Sequence, residues 1–183
     1  MLLIKNVPER EAIESFLKYS PESEPIAIEA MITMLHVTSE VFSALDTHFS
    51  QNNITQGRFH VLMLLARAKE ENEEARKNKL KNLPPPITPA DIADMLNVTR
   101  ATITGLLDKL EADKLILRKA SKKDRRKQNI SITEKASKYL KKFLPEHFKR
   151  VGSLMSKLSN KECSTLVKLL EKVKESIPTV TEQ

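Results

Sequence analysis

The chain has 183 residues, of which 40% are hydrophobic and 30% charged, as is usual for a folded globular protein. Aromatic residues make up only 4%, which argues against a stacking surface for single-stranded nucleic acid, and three glycines argue against a turn-rich β fold. The net charge of +7 is uneven: residues 1–98 carry net −4, residues 99–150 net +10 and residues 151–183 net +1. The central basic segment is suited to attracting phosphate.

The N-terminal part predicts two elements. Residues 1–25 form an extension with a small helix, ended by the breaker Pro21–Pro25. Residues 26–54 contain a long helix, because apolar residues recur at helical spacing. These residues are Ile28, Met31, Ile32, Leu35, Phe42, Leu45 and Phe49. Thr55 is suited to capping the helix that follows.

Composition changes sharply between Lys69 and Pro86, where charge is dense and three prolines stand in a row. The first half predicts an extension of the preceding helix. The second half must leave helical geometry before Pro84. We expect an exposed helical extension and loop without chemistry of its own, and a partner-binding segment remains the alternative.

A helix-turn-helix is predicted next. Thr88 and Pro89 begin a helix, Asn97 and Val98 make the turn, and Thr99 caps a second helix. The inner face of that second helix is Ile103, Leu106, Leu107 and Leu110. Its first two turns carry Thr99, Arg100, Thr102 and Thr104. A helix N-terminus with small hydroxyls suits phosphate, and arginine can bond a guanine edge in the major groove. The alternative is that the threonines only cap a surface helix.

Two short strands, Leu115–Leu117 and Asn129–Ile132, are predicted to bracket a basic tip. The tip residues expected to contact DNA are Lys122, Lys123, Asp124, Arg125, Arg126 and Lys127. Asp124 would orient a guanidinium, and Arg126 would enter the minor groove, whose negative potential favours arginine. A solvated charged hairpin is the alternative.

The C-terminal part predicts a long helix capped by Thr133 and a last helix that begins with a capping box formed by Ser159 and Glu162. We expect residues 134–177 to join residues 26–54 in dimerisation, because their apolar stripes exceed what one small module can cover. The residues expected in this interface are Ile28, Ile32, Leu35, Leu166, Leu170, Val173 and Ile177.

These motifs together resemble the multiple-antibiotic-resistance regulator (MarR) family. The similar stretches are Ile87–Ala93, Val98–Glu111, Asp124–Arg126, Ile132–Ala136 and, more weakly, Gln56–Leu62. The resemblance covers roughly residues 26–176. It implies a mainly α fold with a small β-wing, in which 26–183 form a single unit and 55–133 the winged helix-turn-helix. It also implies a homodimer that binds a pseudo-palindromic double-stranded operator, usually as a repressor released by a small ligand.

Three features depart from the family pattern. The frequent glycine before the first wing strand is Lys114, so strain follows if the backbone there needs φ > 0. The glycine after the closing motif is Ala136. The segment at Lys69–Pro86 is longer than usual, which could change the ligand space or the spacing between recognition helices.

Other functions are less well supported. The chain has no Gly-rich phosphate loop, zinc-protease motif or nucleophile elbow, so we expect no enzyme, no cofactor and no metal. Two alternatives stay open: a winged-helix module that binds proteins, or a sensor that uses Cys163 or the histidines. The lone cysteine and the lack of a signal peptide or long apolar run indicate a cytoplasmic protein without a membrane segment. The operator, the regulated genes, the effector and the direction of regulation are not encoded in recognisable form.

Overall fold

The chain is described by a computed structural model that covers residues 8–20, 22, 24–79, 82, 84–120 and 128–178. Within these residues the helices are α1 (Arg10–Leu17), α2 (Pro25–Gln51), α3 (Gln56–Lys77), α4 (Pro89–Leu96), α5 (Arg100–Ala112), α6 (Glu134–Leu154) and α7 (Asn160–Glu175). The strands are β1 (Ile116–Ala120) and β2 (Gln128–Ile132). The expected mainly helical fold with a small β-wing is confirmed.

The chain divides into two compact units, Met1–Tyr139 and Leu140–Gln183. The first unit holds most of the buried apolar side chains. Those with almost no exposure are Phe49, Val61, Leu62, Ile92, Ile103, Leu107, Leu110 and Ile116. They come from α2, α3, α4, α5 and β1, so one core ties the helix-turn-helix to the wing strands.

The helix starts follow local sequence rules. The Thr55 hydroxyl accepts from the backbone N–H of Arg58 at the start of α3. The helix then continues to Lys77, so the first half of the Lys69–Pro86 segment does extend it, as expected. An ion pair between Lys69 and Glu73 links successive turns of this extension.

The wing is a two-stranded antiparallel sheet in which Ile116 pairs with Ile132 and Ala120 with Gln128. The first strand starts one residue later than the predicted Leu115. The reason is that the Leu115 N–H donates to the carbonyl of Leu110 and so still closes the last turn of α5. Both strands reach further towards the tip than predicted, because pairing continues through Ala120 and Gln128.

The corner between α5 and β1 is tight. Lys114 has φ +59°, the left-handed conformation that glycine adopts without cost, so the expected strain at this position is confirmed. The corner is held from outside by three contacts: Arg58 pairs with Asp113, Lys135 donates to the Asp113 carbonyl at 2.7 Å, and the Thr133 hydroxyl donates to the Lys114 carbonyl at 2.9 Å. The remaining structure therefore holds the strained turn in place.

Tyr139 is the last residue of the first unit and is anchored to the end of α2. Its phenol donates to the carbonyl of Asn52 at 3.2 Å. Burial raises the pKa of Tyr139 above the usual value, and the nearby Arg58 guanidinium partly offsets this. The phenol therefore stays protonated at neutral pH and remains a hydrogen-bond donor.

The second unit contains the remainder of α6, which continues past Pro145, and α7. The predicted capping box starts α7: the Ser159 N–H donates to the Glu162 carboxylate at 2.7 Å, and the Glu162 N–H donates to the Ser159 hydroxyl at 3.3 Å. The Ser159 hydroxyl, which donates to the Glu162 carboxylate at 2.6 Å, and then the Ser159 N–H lower the pKa of Glu162. None of the α7 side chains is buried in the described chain.

By length and composition alone, α2 is the described helix that could cross a membrane, and a single such helix is weak evidence for a membrane segment. An interface helix of a soluble oligomer has the same composition, because its apolar face must be covered by protein. The helix α2 also carries the acidic residues Glu29, Glu40 and Asp46.

Candidate nucleic-acid interface

The start of α5 is positioned by the capped helix α4 and the tight turn that joins the two helices. Thr88 and Asp91 form a capping box at α4, with the Thr88 N–H donating to the Asp91 carboxylate at 2.8 Å. Asn97 ends α4 in the left-handed conformation, with φ +51°. Its neighbour Val98 donates its N–H to the Ala93 carbonyl at 3.1 Å, which closes the turn. The direction of α5 is thus set by backbone bonds on both sides of the turn.

The two faces of α5 differ completely in exposure. Ile103, Leu107 and Leu110 are buried. The helix approaches α3 closely at Gly57, where an added Cβ would lie 3.3 Å from the side chain of Leu106. The opposite face is exposed and consists of Arg100, Ala101, Thr104, Gly105 and Asp108. Ala101, Thr104 and Gly105 have small side chains, so a macromolecular surface can approach the N-terminal half of the helix closely.

Arg100, the first residue of α5, is a cation at the N-terminal end of the helix. It is exposed and makes no ion pair within the part of the chain that the structure describes. The helix N-terminus beside it carries partial positive charge from unpaired backbone N–H groups. The two features together create a positive site where sequence analysis predicted it.

The three threonine hydroxyls at the start of α5 are already engaged in local bonds. Thr99 caps the helix by accepting from the Thr102 N–H at 3.2 Å, and the two hydroxyls lie 2.9 Å apart. Thr104 donates to the Arg100 carbonyl at 2.9 Å. Because phosphate oxygens only accept, Thr104 would have to break its present bond to donate to one. The capping interpretation therefore holds for Thr99, whatever further contact it makes.

An ion-pair cluster joins the exposed face of α5 to the wing. The Arg118 guanidinium on β1 lies 2.6 Å from the Asp108 carboxylate and 3.2 Å from that of Glu111. Its side chain is only 16% exposed, whereas the Asp108 side chain is 60% exposed. Arg118 thus neutralises two carboxylates that would otherwise repel phosphate from this face.

Sequence analysis missed this cluster, although a signal was present. Arg118 is two residues from the buried Ile116 and so lies on the same side of β1. Asp108 and Glu111 are three residues apart on α5 and therefore neighbours on its surface. A cation on the inner side of a strand, next to a helix that carries two neighbouring acidic residues, predicts an ion pair between the strand and the helix.

The basic wing tip falls outside the described residues. The predicted contacts Lys122, Lys123, Asp124, Arg125, Arg126 and Lys127 all lie in residues 121–127. The described strands pair up to Ala120 and Gln128, the two residues that flank this segment. The contacts assigned to the tip stay predictions.

The predicted dimerisation residues are exposed or half-buried in the single chain. Ile28, Leu35, Leu170, Val173 and Ile177 are between 37% and 55% exposed. Ile32 and Leu166 are half-buried. Further large apolar side chains are exposed on the same helices, among them Met31, Phe42 and Leu169. Apolar surface of this extent marks an interaction site.

The histidines and the cysteine give no sign of a sensor. His48 and His147 are buried, and His147 stacks on Phe143 with 5.2 Å between ring centroids. Cys163 is half-buried in the first turn of α7. Within residues whose placement is described, no group of three or more His, Cys, Asp or Glu side chains could hold a metal ion.

Comparison with known proteins shows which family domain and which regulators the chain resembles. The family model "MarR family" matches residues 79–127. The HTH-type transcriptional repressor YetL of Bacillus subtilis (strain 168) is 28% identical over 167 residues, which cover 91% of this chain and 92% of that protein. Residues 79–127 therefore carry a MarR family domain, and most of the chain is similar to a transcriptional repressor.

Further relatives agree with this MarR resemblance. The HTH-type transcriptional regulator PecS of Dickeya dadantii (strain 3937) is 26% identical over 159 residues, 85% of this chain and 88% of that protein. Among solved structures, the S. aureus MepR–DNA complex matches with a TM-score of 0.63 and 25% identity, covering 80% of this chain and 95% of that one. A MarR/EmrR family regulator from Acinetobacter sp. ADP1 has a TM-score of 0.64 at 17% identity, which supports the winged-helix fold alone.

Proposed function

We propose that this protein is a homodimeric transcription regulator that binds a pseudo-palindromic double-stranded DNA site through α5 and the wing. The observation that carries the proposal is the exposed face of α5, where Arg100 has no ion pair among the described residues and Arg118 neutralises the carboxylates of Asp108 and Glu111. A surface of this kind can enter a major groove without electrostatic repulsion.

Arg100 is proposed to bond a base edge, and the wing residues Lys122, Lys123, Arg125, Arg126 and Lys127 to contact phosphate and the minor groove. Asp124 is proposed to position an arginine in that tip. Thr99, Thr102 and Thr104 line the approach to the backbone, with Thr99 and Thr102 able to donate through the one hydroxyl hydrogen that their mutual contact leaves free. The DNA-bound state of S. aureus MepR supports a duplex as the ligand of this fold.

Dimerisation is proposed to use the exposed stripes of α2 and α7, with Ile28, Ile32, Leu35, Leu166, Leu170, Val173 and Ile177 in the interface. A twofold dimer of recognition helices addresses half-sites about 34–36 Å apart, one turn of B-DNA. The protein then acts in the cytoplasm by binding and not by catalysis. Repression that is relieved by a small ligand is the form of regulation proposed, as a shift between two dimer shapes.

The test is DNA binding measured by fluorescence anisotropy, with duplex fragments selected from genomic DNA at several salt concentrations. Log K should fall linearly with log[salt]. Arg100→Ala should remove roughly 1–3 kcal/mol of discrimination between the selected site and a scrambled one. Arg126→Ala should weaken binding to both duplexes alike and reduce the salt slope by about 1.

The matched control is Arg67→Ala, which removes an exposed arginine from α3, where it pairs with Glu71. It should leave both affinities close to wild type. If Arg100→Ala and Arg67→Ala behave alike, α5 does not carry the sequence preference. If the wild-type protein ignores duplexes even at low salt, DNA regulation is the wrong function.

A further inference from the structure

Arg58 is a largely buried side chain that connects elements far apart in the sequence. It lies in the first turn of α3, just after the corner that joins α2 to α3. Its side chain is 11% exposed, and its guanidinium pairs with the carboxylate of Asp113 at the corner between α5 and β1. Burial raises the pKa of the Tyr139 phenol on α6, and the nearby Arg58 guanidinium partly offsets this. Arg58 therefore lies where α3, α6 and the α5–β1 corner meet.

The same junction includes the end of α2. Asn52, the residue that follows α2, accepts a hydrogen bond from the Tyr139 phenol through its carbonyl at 3.2 Å. The side-chain amide of Asn52 donates to the carbonyl of His48 at 2.9 Å, one turn back in α2. Because α2 carries exposed apolar residues that we propose for dimerisation, the junction joins a helix of the proposed dimer interface to the DNA-binding part of the chain.

The α5–β1 corner belongs to both elements that we propose to contact or to carry contacts to DNA. Asp113 is the C-cap of α5, and β1 begins three residues later at Ile116. The first turn of α3 approaches α5 at a second point, because an added Cβ at Gly57 would lie 3.3 Å from the Leu106 side chain. Leu106 precedes Asp113 by about two helical turns. The ion pair therefore adds a fixed point at the end of α5 to the apolar contact in its middle.

We propose that Arg58 is a positioning residue that sets the half-site spacing which a dimer of this chain accepts. It acts without contacting DNA: its pair with Asp113 holds the end of α5 and the start of β1 against α3 and the end of α2. The inference rests on the proposed function, because spacing has a meaning only for a dimer that binds two half-sites. When the pair is lost, α5 and the wing adopt a wider range of directions. A duplex with the native spacing then loses part of its advantage over one with altered spacing.

The first arm of the test compares the affinity for three duplexes by fluorescence anisotropy. These are the operator selected from genomic DNA, the same duplex with one base pair inserted between its half-sites, and a single half-site. The insertion turns one half-site by about 35° and moves it by about 3.4 Å. Arg58→Met should lower the affinity for the selected operator by roughly 2- to 30-fold, the range for residues that modulate binding without contacting a ligand. The other two affinities should change much less, so the preference for the native spacing should shrink.

The second arm asks whether Arg58 acts through Asp113. Asp113→Asn removes the charge of the partner and should shift the spacing preference in the same direction. The double variant Arg58→Met/Asp113→Asn should be no worse than Arg58→Met, because both changes remove the same pair. Arg67→Met breaks the exposed Arg67–Glu71 pair on the same helix and should keep all three affinities at the wild-type level.

Circular dichroism and sedimentation equilibrium establish that each variant is folded and dimeric before it is titrated. If Arg58→Met fails to fold, the half-exposed Asp113→Asn is judged by the same criteria. The inference is overturned if the folded dimer keeps the wild-type spacing preference, or if it loses affinity for all three duplexes alike, as a merely structural role predicts. The proposed function survives either result, since the wild-type protein still binds the operator. A wild-type protein that binds no duplex refutes the proposed function and this inference together.

Discussion

The helices α5 and α7 are similar in length but differ in how many of their apolar side chains are buried. α5 buries Ile103, Leu107 and Leu110 within its own chain and exposes a polar face. α7 buries no described side chain and exposes Leu169, Leu170 and Val173. The winged helix-turn-helix therefore has a core of its own, whereas α7 has no apolar cover among the described residues. The stability of α7 should accordingly depend on protein concentration, as it does in obligate dimers.

The largest effect should come from a charge placed on the exposed stripe of α7. Leu170→Lys would bury two unpaired ammonium groups in a twofold interface, one from each copy. Leaving a buried charge without a partner costs about 3–5 kcal/mol, so the dimer dissociation constant should rise by at least about 100-fold. Sedimentation equilibrium measures this shift directly.

The control for that variant is Glu171→Lys, which adds a lysine at the next position, off the apolar stripe. It should remain dimeric. If Leu170→Lys also remains dimeric at nanomolar concentration, the stripe is not the interface, and the contrast between α5 and α7 loses its meaning.

An intermediate effect is expected when the neutralising arginine behind α5 is removed. Arg118→Met would leave the carboxylates of Asp108 and Glu111 unpaired beside the bound duplex. Partly exposed ion pairs are worth about 1 kcal/mol or less, so affinity for any duplex should fall by about two- to fivefold at low salt. Anisotropy titrations at two salt concentrations measure the change.

The double variant Arg118→Met/Asp108→Asn separates charge from structure. It should recover part of the lost affinity, because the added amide carries no charge. Arg67→Met, which breaks the Arg67–Glu71 pair on α3, is the matched control and should change little. If the double variant binds no better than Arg118→Met, Arg118 acts by holding the wing strand and not by neutralising Asp108.

The smallest effect is expected at Lys114, in the strained turn between α5 and β1. Lys114→Gly would relieve a left-handed conformation that costs a non-glycine residue roughly 1–2 kcal/mol, partly offset by the greater freedom of glycine when unfolded. A net gain of about 0.5–1 kcal/mol should raise the Tm by roughly 1–4 °C. Thermal denaturation followed by circular dichroism at fixed protein concentration tests this. An unchanged or lower Tm would mean that the corner relaxes in solution.

Local signals predicted the helix starts well, because a cap is decided by residues three positions apart. Thr55, Thr99 and Ser159 cap the helices that they were expected to cap. The resemblance of the helix-turn-helix to the MarR pattern supplied the fold. The start of β1 was predicted one residue early, since the bond that removes Leu115 from the strand comes from the preceding helix.

What the sequence did not predict depends on contacts between separate elements. Arg118 meets Asp108 only because β1 folds back beside α5. The spacing of Arg118 from the buried Ile116 indicates the side of β1 on which it lies, but nothing local identifies its partner on α5. The roles assigned to the wing tip rest on the family resemblance and on charge, because residues 121–127 lie outside the described structure.

The close contact at Gly57 has a consequence for how such regulators diversify. The recognition helix rests on α3 where the Leu106 side chain fills the space that a Cβ at position 57 would take. A methyl group added there would require the Leu106 side chain to shift by a few tenths of an ångström, while every residue proposed to face DNA stayed the same. Operator preference could thus drift through a residue on the far side of the helix from the duplex.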